Sequence, residues 1–441
     1  MQSKIINTDK AKKEISEWGT FRDSLKAPVH SWFTYPAGFS YKAVEHTIKK
    51  ENLVVGKDTI YDPFMGSGTT NLVARSMGIN SVGVEAHPFV YTITKAKLDI
   101  DINEIDINES VKKIKVELEN SLFPKDQESF FKKEFPELIM KCFLPETLFD
   151  LLIIRNSIRN LKKPENVKNF LNTVLICSLR DVSIAATGWP YIAPNKIKIT
   201  SMSKKGAEVY FKKVAKMFAD IEILKKSGSV IKTKHNIILG DSRDTKKVIK
   251  TNSVDHIFTS PPYLNNFDYA DRTRLEMYFM GAANNWADIS NDIRTKLITS
   301  ATTQISRTDK KYNFSESFIK ECPAVYKFLS KAVLELAALR LIKGGKKSYD
   351  LLTVGYFNDL YAILKENFRV LKPGKKAIYI LGDSAPYGVH IPTDLLIGDI
   401  GKCIGFKKYK VEILRLRGGK WANNPQRHSV PLRETIITLY K

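Results

Sequence analysis

The chain has 441 residues and a formal net charge of +23 at pH 7. Its apolar content is ordinary for a soluble protein, no run approaches a membrane span, and no signal-like stretch opens it, so we expect a cytoplasmic protein without membrane contact. The basic excess favours a polyanionic partner, although a solvated lysine surface would give the same charge.

A strand, a glycine turn and a helix follow one another early in the chain. The first strand is predicted over 59–62, the turn contains Gly66 and Gly68, and helical character follows over 71–77. Glycines permit tight turning and a close approach of backbone to ligand. A second strand over 81–85 ends in a carboxylate, which is placed to hold ribose hydroxyls. Because the turn lacks the Gly-Lys-Ser/Thr ending of a phosphate loop, a nucleoside without phosphates fits it better.

Two polar stretches interrupt the sheet pattern. Residues 100–235 are lysine-rich and show helical periodicity without clear strand alternation, so they are predicted to form a helical insertion. Its predicted helices are Ile107–Leu122, Pro145–Leu161, Val167–Leu179 and Ala207–Leu224. Residues 264–345 are again helical and polar. Either insertion could recognise the polyanionic partner.

A five-residue loop from Thr259 to Tyr263 follows the short apolar strand 254–258. Open α/β sheets place their chemistry at the carboxyl ends of strands. The loop has the parts needed to methylate an exocyclic amine, whose lone pair is delocalised into the base. The Ser260 hydroxyl and the Pro261 carbonyl can accept the amine hydrogens and free that lone pair. Two prolines preorganise these acceptors.

The rest of the loop suits a base turned out of a duplex. Pro262 completes the stiff proline pair, and Tyr263 offers a face on which the base can stack. A Pro-Pro turn that only ends a strand is the alternative. The residues just after the loop could line the base pocket or fill the gap left by the base, or they could simply lead into a helix over 274–280. They are Asn265, Asn266, Phe267, Tyr269 and Arg272.

The C-terminal part completes an α/β sheet. Helices are predicted over 351–371 and 393–404, and strands over 377–381, 409–416 and 435–440. Between the last two strands a basic segment could face DNA, or it could be an ordinary hairpin loop with solvated charges. Its candidate DNA contacts are Arg415, Arg417, Lys420 and Arg427.

These motifs together resemble the amino-type DNA methyltransferases that use S-adenosylmethionine. The pieces that resemble its cofactor site are Tyr35-Pro36, the loop 62–70, the strand end 83–85 and the segment 239–242, and those that resemble its catalytic loop lie at 259–263. The resemblance implies a cofactor site made by Tyr35, Pro36, Asp62, Phe64, Gly66, Gly68, Thr69, Glu85, Asp241 and Ser242. It implies an α/β, Rossmann-like methyltransferase core with a mixed, mainly parallel sheet and helical insertions. The core would comprise 1–99, 236–263 and 346–441.

The Ser-Pro-Pro-Tyr form of the catalytic loop is commoner among N4-cytosine enzymes, whereas an Asp in first position is commoner among N6-adenine enzymes. The expected activity is therefore methylation of cytosine N4 in double-stranded DNA, in restriction-modification, with a cognate endonuclease as a possible partner. N6-adenine methylation, methylation of an RNA guanine amine and an inactive DNA-binding subunit are the alternatives.

Other chemistries are disfavoured. The cysteines Cys142, Cys177, Cys322 and Cys403 are scattered, and none follows a proline, whereas cytosine C5 methylation needs a cysteine nucleophile, usually in a Pro-Cys pair. The histidines show no ligand pairs, so no metal is implied. Direct transfer without a covalent enzyme intermediate is expected.

Overall fold

The computed structural model describes residues 15–34, 38–186, 191–227, 232–305, 312–343, 347–417 and 430–441. The strands are β1 (Thr59–Asp62), β2 (Asn80–Glu85), β3 (Ala185–Ala186), β4 (Ala193–Ile197), β5 (His235–Leu239), β6 (Val254–Thr259), β7 (Leu371–Gly382), β8 (Lys408–Arg417) and β9 (Leu432–Tyr440).

In the part of the chain so described, one seven-stranded sheet has the order β5-β2-β1-β6-β7-β9-β8. Strands β5, β2, β1, β6 and β7 pair in parallel, and β9 is antiparallel to both β7 and β8. The predicted Rossmann-like core with a mixed, mainly parallel sheet is confirmed. The last strand lies between β7 and β8, so the edge strand is β8.

The helices are α1 (Tyr41–Lys50), α2 (Thr69–Ser76), α3 (Pro88–Leu98), α4 (Glu104–Asn120), α5 (Gln127–Glu134), α6 (Glu137–Cys142), α7 (Pro145–Arg159), α8 (Glu165–Val182), α9 (Gly206–Ser227), α10 (Tyr269–Arg272), α11 (Arg274–Met280), α12 (Trp286–Asp288), α13 (Glu316–Glu321), α14 (Pro323–Ile342), α15 (Tyr349–Val370) and α16 (Thr393–Ile404). Proline opens α3, α7 and α14, where its missing N–H has no intrahelical partner to lose. No helix of the described residues is long and apolar enough to cross a bilayer.

The sheet is covered on both faces because side chains alternate along each strand. On β6, Ile257 packs into a cluster with α15 and α16, whereas its neighbour Phe258 packs into a cluster with α1 and α2. On β1, Tyr61 and Ile60 divide between the same two clusters. Strands buried on both faces therefore present the apolar runs that the sequence shows.

The helical insertion does not form a separate core. A third cluster joins residues of α4–α9 to Phe89, Val90 and Ile93 of α3, and it also takes in Leu275 and Phe279 of α11. The stretch 264–345 is thus divided. Its first part packs with the 100–235 helices, while α14 packs on α15 beside the sheet.

One small element contradicts the expectation that 100–235 is helical throughout. Strands β3 and β4 form a two-stranded antiparallel sheet in which Ala185 pairs with Ile197. The short alanine strand and the polar residues of β4 have no apolar alternation, which is why the pattern of the sequence gave no sign of them.

Candidate active site

A cavity opens where the carboxyl ends of β1, β2, β5 and β6 meet, and it spans about 870 Å³ including its part open to solvent. The chain runs from β1 outward to β2 and β5, and then returns to β6 on the other side of β1. This reversal is the topological switch point at which open α/β sheets bind ligands. The residues that line the cavity are Gly38, Phe39, Pro63, Phe64, Met65, Gly66, Ser67, Thr69, Val84, Glu85, Ala86, Asp241, Ser242, Arg243, Ser260, Pro262, Tyr269, Lys296, Leu297, Ile298 and Ile363.

The Glu85 carboxylate ends β2 in the cavity wall and is only 8% exposed. The backbone N–H of Gly66 donates to Oε2 at 2.8 Å, and that of His87 donates to Oε1 at 2.8 Å. Burial raises the pKa of Glu85 to about 7 despite these two donors. Each oxygen keeps acceptor capacity, so the carboxylate can still receive hydroxyl groups from a bound ribose.

The glycine loop that precedes α2 lies beside Glu85. Gly66 and Gly68 have φ values of 52° and 83°, in the left-handed region that glycine adopts without steric cost. At Gly68 a Cβ would also lie 2.6 Å from the Thr94 side chain. Phe64, Gly66 and Thr69 line the cavity as predicted for cofactor-binding residues. Gly68 does not line the cavity; it packs against Thr94 and allows the turn of the loop.

Asp62 is a correction to the predicted cofactor site. Its side chain is fully buried and does not line the cavity. It accepts hydrogen bonds from the Thr70 hydroxyl at 2.7 Å, the Thr259 hydroxyl at 2.6 Å and the Phe64 N–H at 3.0 Å. Burial raises its pKa to about 6. Asp62 therefore ties the cofactor loop to the catalytic strand, because its position at the end of β1 faces both.

The segment after β5 supplies the opposite polar wall. Both Asp241 and Ser242 line the cavity. The Ser242 hydroxyl donates to the Pro63 carbonyl at 2.5 Å, which joins this segment to the glycine loop. The Arg243 guanidinium pairs with Asp241 at 2.6 Å and with Asp359 at 2.9 Å. Arg243 was not predicted, since nothing in the local sequence shows that it turns back onto Asp241.

The catalytic loop borders the same cavity through Ser260 and Pro262. It is held from behind: the Tyr356 hydroxyl donates to the Pro262 carbonyl at 2.9 Å, and the Ser384 hydroxyl donates to the Leu264 carbonyl at 2.5 Å. The Pro262 carbonyl is engaged in this way, and Pro261 is buried and does not line the cavity, so the role of the Pro261 carbonyl as an acceptor for the amine stays a prediction.

Tyr263 lies deeper than expected and is 5% exposed. Its hydroxyl donates to Glu434 Oε1 at 2.8 Å, and the Arg417 guanidinium lies 5.2 Å from its ring centroid. Burial, then the Glu434 charge, raises the pKa of Tyr263 well above its ordinary value, which keeps the phenol protonated and donating. The Arg417 guanidinium covers one face of this ring, so a base that stacks there must displace the guanidinium or stack beside it.

Two predicted DNA contacts turn out to be interior. Arg272 is 6% exposed; its guanidinium lies 3.6 Å from buried Glu276 and donates to the Thr34 carbonyl at 3.3 Å. Tyr269 is 8% exposed and lines the cavity, so it belongs with the cofactor wall. Both errors have one cause. Nearness in sequence to the catalytic loop does not tell which side of the turn faces outward.

The other predicted DNA contacts have three different outcomes in the structure. Asn265 is exposed with φ 59°, and Asn266 and Phe267 are half-buried beside it, so DNA contact by these three stays a prediction. Arg415 and Arg417 are half-buried and turn toward the catalytic loop, contrary to a loop that only faces DNA. Four predicted site residues lie outside the described residues. They are Tyr35, Pro36, Lys420 and Arg427.

The apolar side of the cavity was missed by sequence reasoning. Phe39, Met65 and Val84 come from core elements, whereas Leu297 and Ile298 come from the 264–345 insertion. A cavity with apolar walls and a few convergent polar groups is the usual form of a nucleoside or cofactor site. Isolated apolar residues carry no motif, so only the fold could bring them together.

The sheet order, the glycine turn, the acidic end of β2 and the cavity at the switch point define a Rossmann-like nucleoside-binding enzyme core. The loop after β6 brings Ser260 and Pro262 to the same cavity.

Comparison with known proteins narrows this class. The family model described as DNA methylase (N6_N4_Mtase) matches residues 3–96. The Type II methyltransferase M.BsoBI of Geobacillus stearothermophilus is 26% identical over 95% of this chain and 86% of its own length, and M.MvaI of Kocuria varians is 22% identical over 92% and 88%. Among solved structures, the rRNA methyltransferase aviRa from Streptomyces viridochromogenes covers 95% of this chain and 92% of its own, with 8% identity and a TM-score of 0.30, too low to support an argument.

These sequence matches confirm the resemblance to the amino-type DNA methyltransferases, and they support methylation of exocyclic amines in DNA as the activity. The cofactor of that family is S-adenosylmethionine, which supplies an activated methyl group. The lining of the cavity fits it: Glu85 would hold the ribose hydroxyls and the apolar residues would cover the adenine faces, whereas both Asp241 oxygens accept hydrogen bonds from Arg243.

Proposed function

We propose that this protein methylates the N4 amine of cytosine in double-stranded DNA, as the modification enzyme of a restriction-modification system. The observation that supports it most is the position of Ser260. It follows the last residue of β6, borders the cavity and begins a loop whose carbonyls accept hydrogen bonds from Tyr356 and Ser384. Serine at this position is the form commoner among N4-cytosine enzymes of the family that the chain resembles.

The work of the catalytic loop is to position the amine and accept its hydrogens. An arylamine nitrogen becomes a better nucleophile when acceptors draw its hydrogens out of the ring plane. Ser260 Oγ and the Pro261 carbonyl are fixed by the prolines and by the bonds behind the loop, so little reorganisation is needed when the base arrives. The described part of the loop contains no cysteine, which agrees with direct transfer.

The test is to incubate purified protein with S-adenosylmethionine and duplex DNA of mixed sequence, and then to digest the DNA and analyse its nucleosides by mass spectrometry. N4-methylcytosine is expected. If N6-methyladenine is the only product, the proposed mechanism stands and the target base is adenine instead of cytosine. Methylation of RNA but not DNA would overturn the proposal.

The residue test is Ser260→Ala. Losing one preorganised acceptor should lower the methylation rate about a hundredfold, equivalent to about 3 kcal/mol. Cofactor affinity should stay the same. Ser253→Ala is a matched control, because Ser253 precedes the same strand and its hydroxyl, among the residues that the structure describes, bonds only the Lys250 carbonyl. Full activity of Ser260→Ala would show that the amine is activated by other groups.

A further inference from the structure

The β3–β4 hairpin ends in a patch of exposed apolar side chains. Ile197, the last residue of β4, is 66% exposed, and Ile199 and Met202, which follow it, are 78% and 48% exposed. Single exposed apolar residues are normal on protein surfaces, whereas a contiguous patch bordered by polar residues marks an interaction site. These three side chains lie within six residues of one another in the sequence and form the apolar patch of the hairpin.

The hairpin is anchored beside the candidate active site. The Asp268 N–H donates to the Tyr191 hydroxyl oxygen at 2.9 Å, just before β4 begins. The residue after Asp268 is Tyr269, which lines the cavity. On the other strand, the Ile184 N–H donates to the Cys142 carbonyl at 2.8 Å, which joins β3 to α6. A duplex that delivers a base to the cavity therefore comes within reach of the hairpin.

The charge around the hairpin suits a polyanionic partner. Residues 182–207 include four lysines and no acidic residue. Lys198 Nζ donates to the Arg180 carbonyl at 3.4 Å, and Lys204 Nζ donates to the Asp181 carbonyl at 2.9 Å. These main-chain acceptors carry no formal charge, so they do not neutralise the two ammonium groups. The lysines can therefore attract phosphates, and the absence of carboxylates from this segment leaves nothing in it that repels them.

We propose that the β3–β4 hairpin is a DNA-contacting element of this enzyme. Its lysines contact backbone phosphates near the target nucleotide, and its exposed isoleucines pack against the bases of the duplex. Proteins that distort DNA insert apolar side chains of this kind between base steps, and turning a base out of the duplex requires such a distortion. This inference rests on the proposed function, because DNA is the partner only if the catalytic loop acts on a DNA base. It places a DNA contact in the 100–235 insertion.

Two variants separate the apolar contacts from the charge. The double variant Ile197→Ser, Ile199→Ser should lower kcat/KM for methylation of mixed-sequence duplex DNA about tenfold, because its contact with DNA no longer buries apolar surface. The salt dependence of DNA binding should not change. Lys196→Gln, at an exposed lysine of β4, should instead reduce the slope of log affinity against log salt by about 0.9. The Kd for S-adenosylmethionine should be the same in both, because these residues do not line the cavity.

Matched controls change the same kinds of residue elsewhere in the 100–235 insertion. Ile105 and Leu122, near the two ends of α4, are 63% and 91% exposed, and Lys113 is exposed between them. The double variant Ile105→Ser, Leu122→Ser and the single variant Lys113→Gln should keep the DNA affinity, salt slope and kcat/KM of the wild type. All the substituted side chains are exposed, so Tm should change little. An equal loss in the controls would overturn the special role of the hairpin.

The remaining results distinguish the hairpin from the proposed function. If the hairpin variants bind and methylate DNA as the wild type does, the hairpin is not a DNA contact. If the isoleucine variant changes only the oligomeric state in light scattering, the apolar patch joins copies of the chain, and the proposal is again overturned. Both results leave the proposed function standing. A folded wild-type protein that binds S-adenosylmethionine but methylates no DNA amine would overturn the proposed function, and with it the choice of DNA as the partner.

Discussion

At the scale of single residues, Glu85 links cofactor binding to pH. Its pKa is raised to about 7 by burial, so the carboxylate that can receive ribose hydroxyls is present above pH 7 and is lost as the pH falls. Affinity for S-adenosylmethionine should therefore drop about tenfold between pH 8 and pH 6. Calorimetry at both pH values, in buffers of different ionisation enthalpy, measures the affinity and the proton released on binding.

The control for this effect is Glu85→Gln, which keeps the shape of the side chain and cannot titrate. It should bind more weakly at pH 8 and show little further loss at pH 6. An equally steep pH dependence in Glu85→Gln would assign the proton to another group, such as Asp62, whose pKa is about 6.

Gly68 permits a second comparison at this scale. Gly68→Ala places a Cβ 2.6 Å from the Thr94 side chain and strains a backbone with φ 83°. Gly374→Ala, at φ 75°, meets nothing within 4 Å and shares only the backbone strain, of about 1 kcal/mol. Both should lose stability in urea titrations. Only Gly68→Ala should also weaken cofactor binding in calorimetry. Equal cofactor affinities would mean that the loop tolerates the displacement.

Residues with a motif were predictable, and residues without one were not. The glycine loop, Glu85 and Ser260 were predicted from positions close together in sequence, and residues of all three line one cavity. Arg243 was not, because nothing in its local sequence shows that the guanidinium turns back onto Asp241 and also reaches Asp359. Arg272 was misplaced for the converse reason: a basic residue beside a site was expected outside, and its partner Glu276 holds it inside.

At the scale of secondary-structure elements, the hydrophobic periodicity of the sequence predicted most helices and strands of the α/β core. The helix predicted over 351–371 is α15, and β8 and β9 fall within three residues of their predicted bounds, whereas β7 begins at Leu371, well before the predicted start at residue 377. Long apolar periods and strands buried on both faces give strong signals. The β3–β4 pair gave none, because it is short and polar. The division of 264–345 between two hydrophobic clusters depends on tertiary contacts that no local pattern reports.

Asp62 joins three elements, and Thr259→Val tests that junction. Valine keeps the shape of threonine but removes the donor that reaches Asp62 at 2.6 Å, so unfolding free energy should fall by about 1.5–3 kcal/mol, as for bonds to charged groups. The comparison is Thr435→Val, which removes a bond to the neutral Leu381 carbonyl at 3.3 Å and should cost about 0.5–1.5 kcal/mol. Urea denaturation measures both. A larger loss from Thr435→Val would contradict the central role of Asp62.

At the scale of the whole molecule, the charge of +23 should appear as a strong salt dependence of DNA binding. Each phosphate neutralised by Lys or Arg releases counterions, so log affinity should fall linearly with log salt, by about 0.9 per contact. Binding of non-specific duplex DNA, followed by fluorescence anisotropy from low to physiological salt, gives the slope.

The cofactor provides an internal control, because S-adenosylmethionine enters a largely apolar cavity and its binding releases no condensed counterions. Its affinity should change little over the same salt range. A nearly flat slope for DNA would mean that the basic excess is only a solvated surface, and that target binding depends on contacts near the catalytic loop such as those predicted for Asn265 and Asn266.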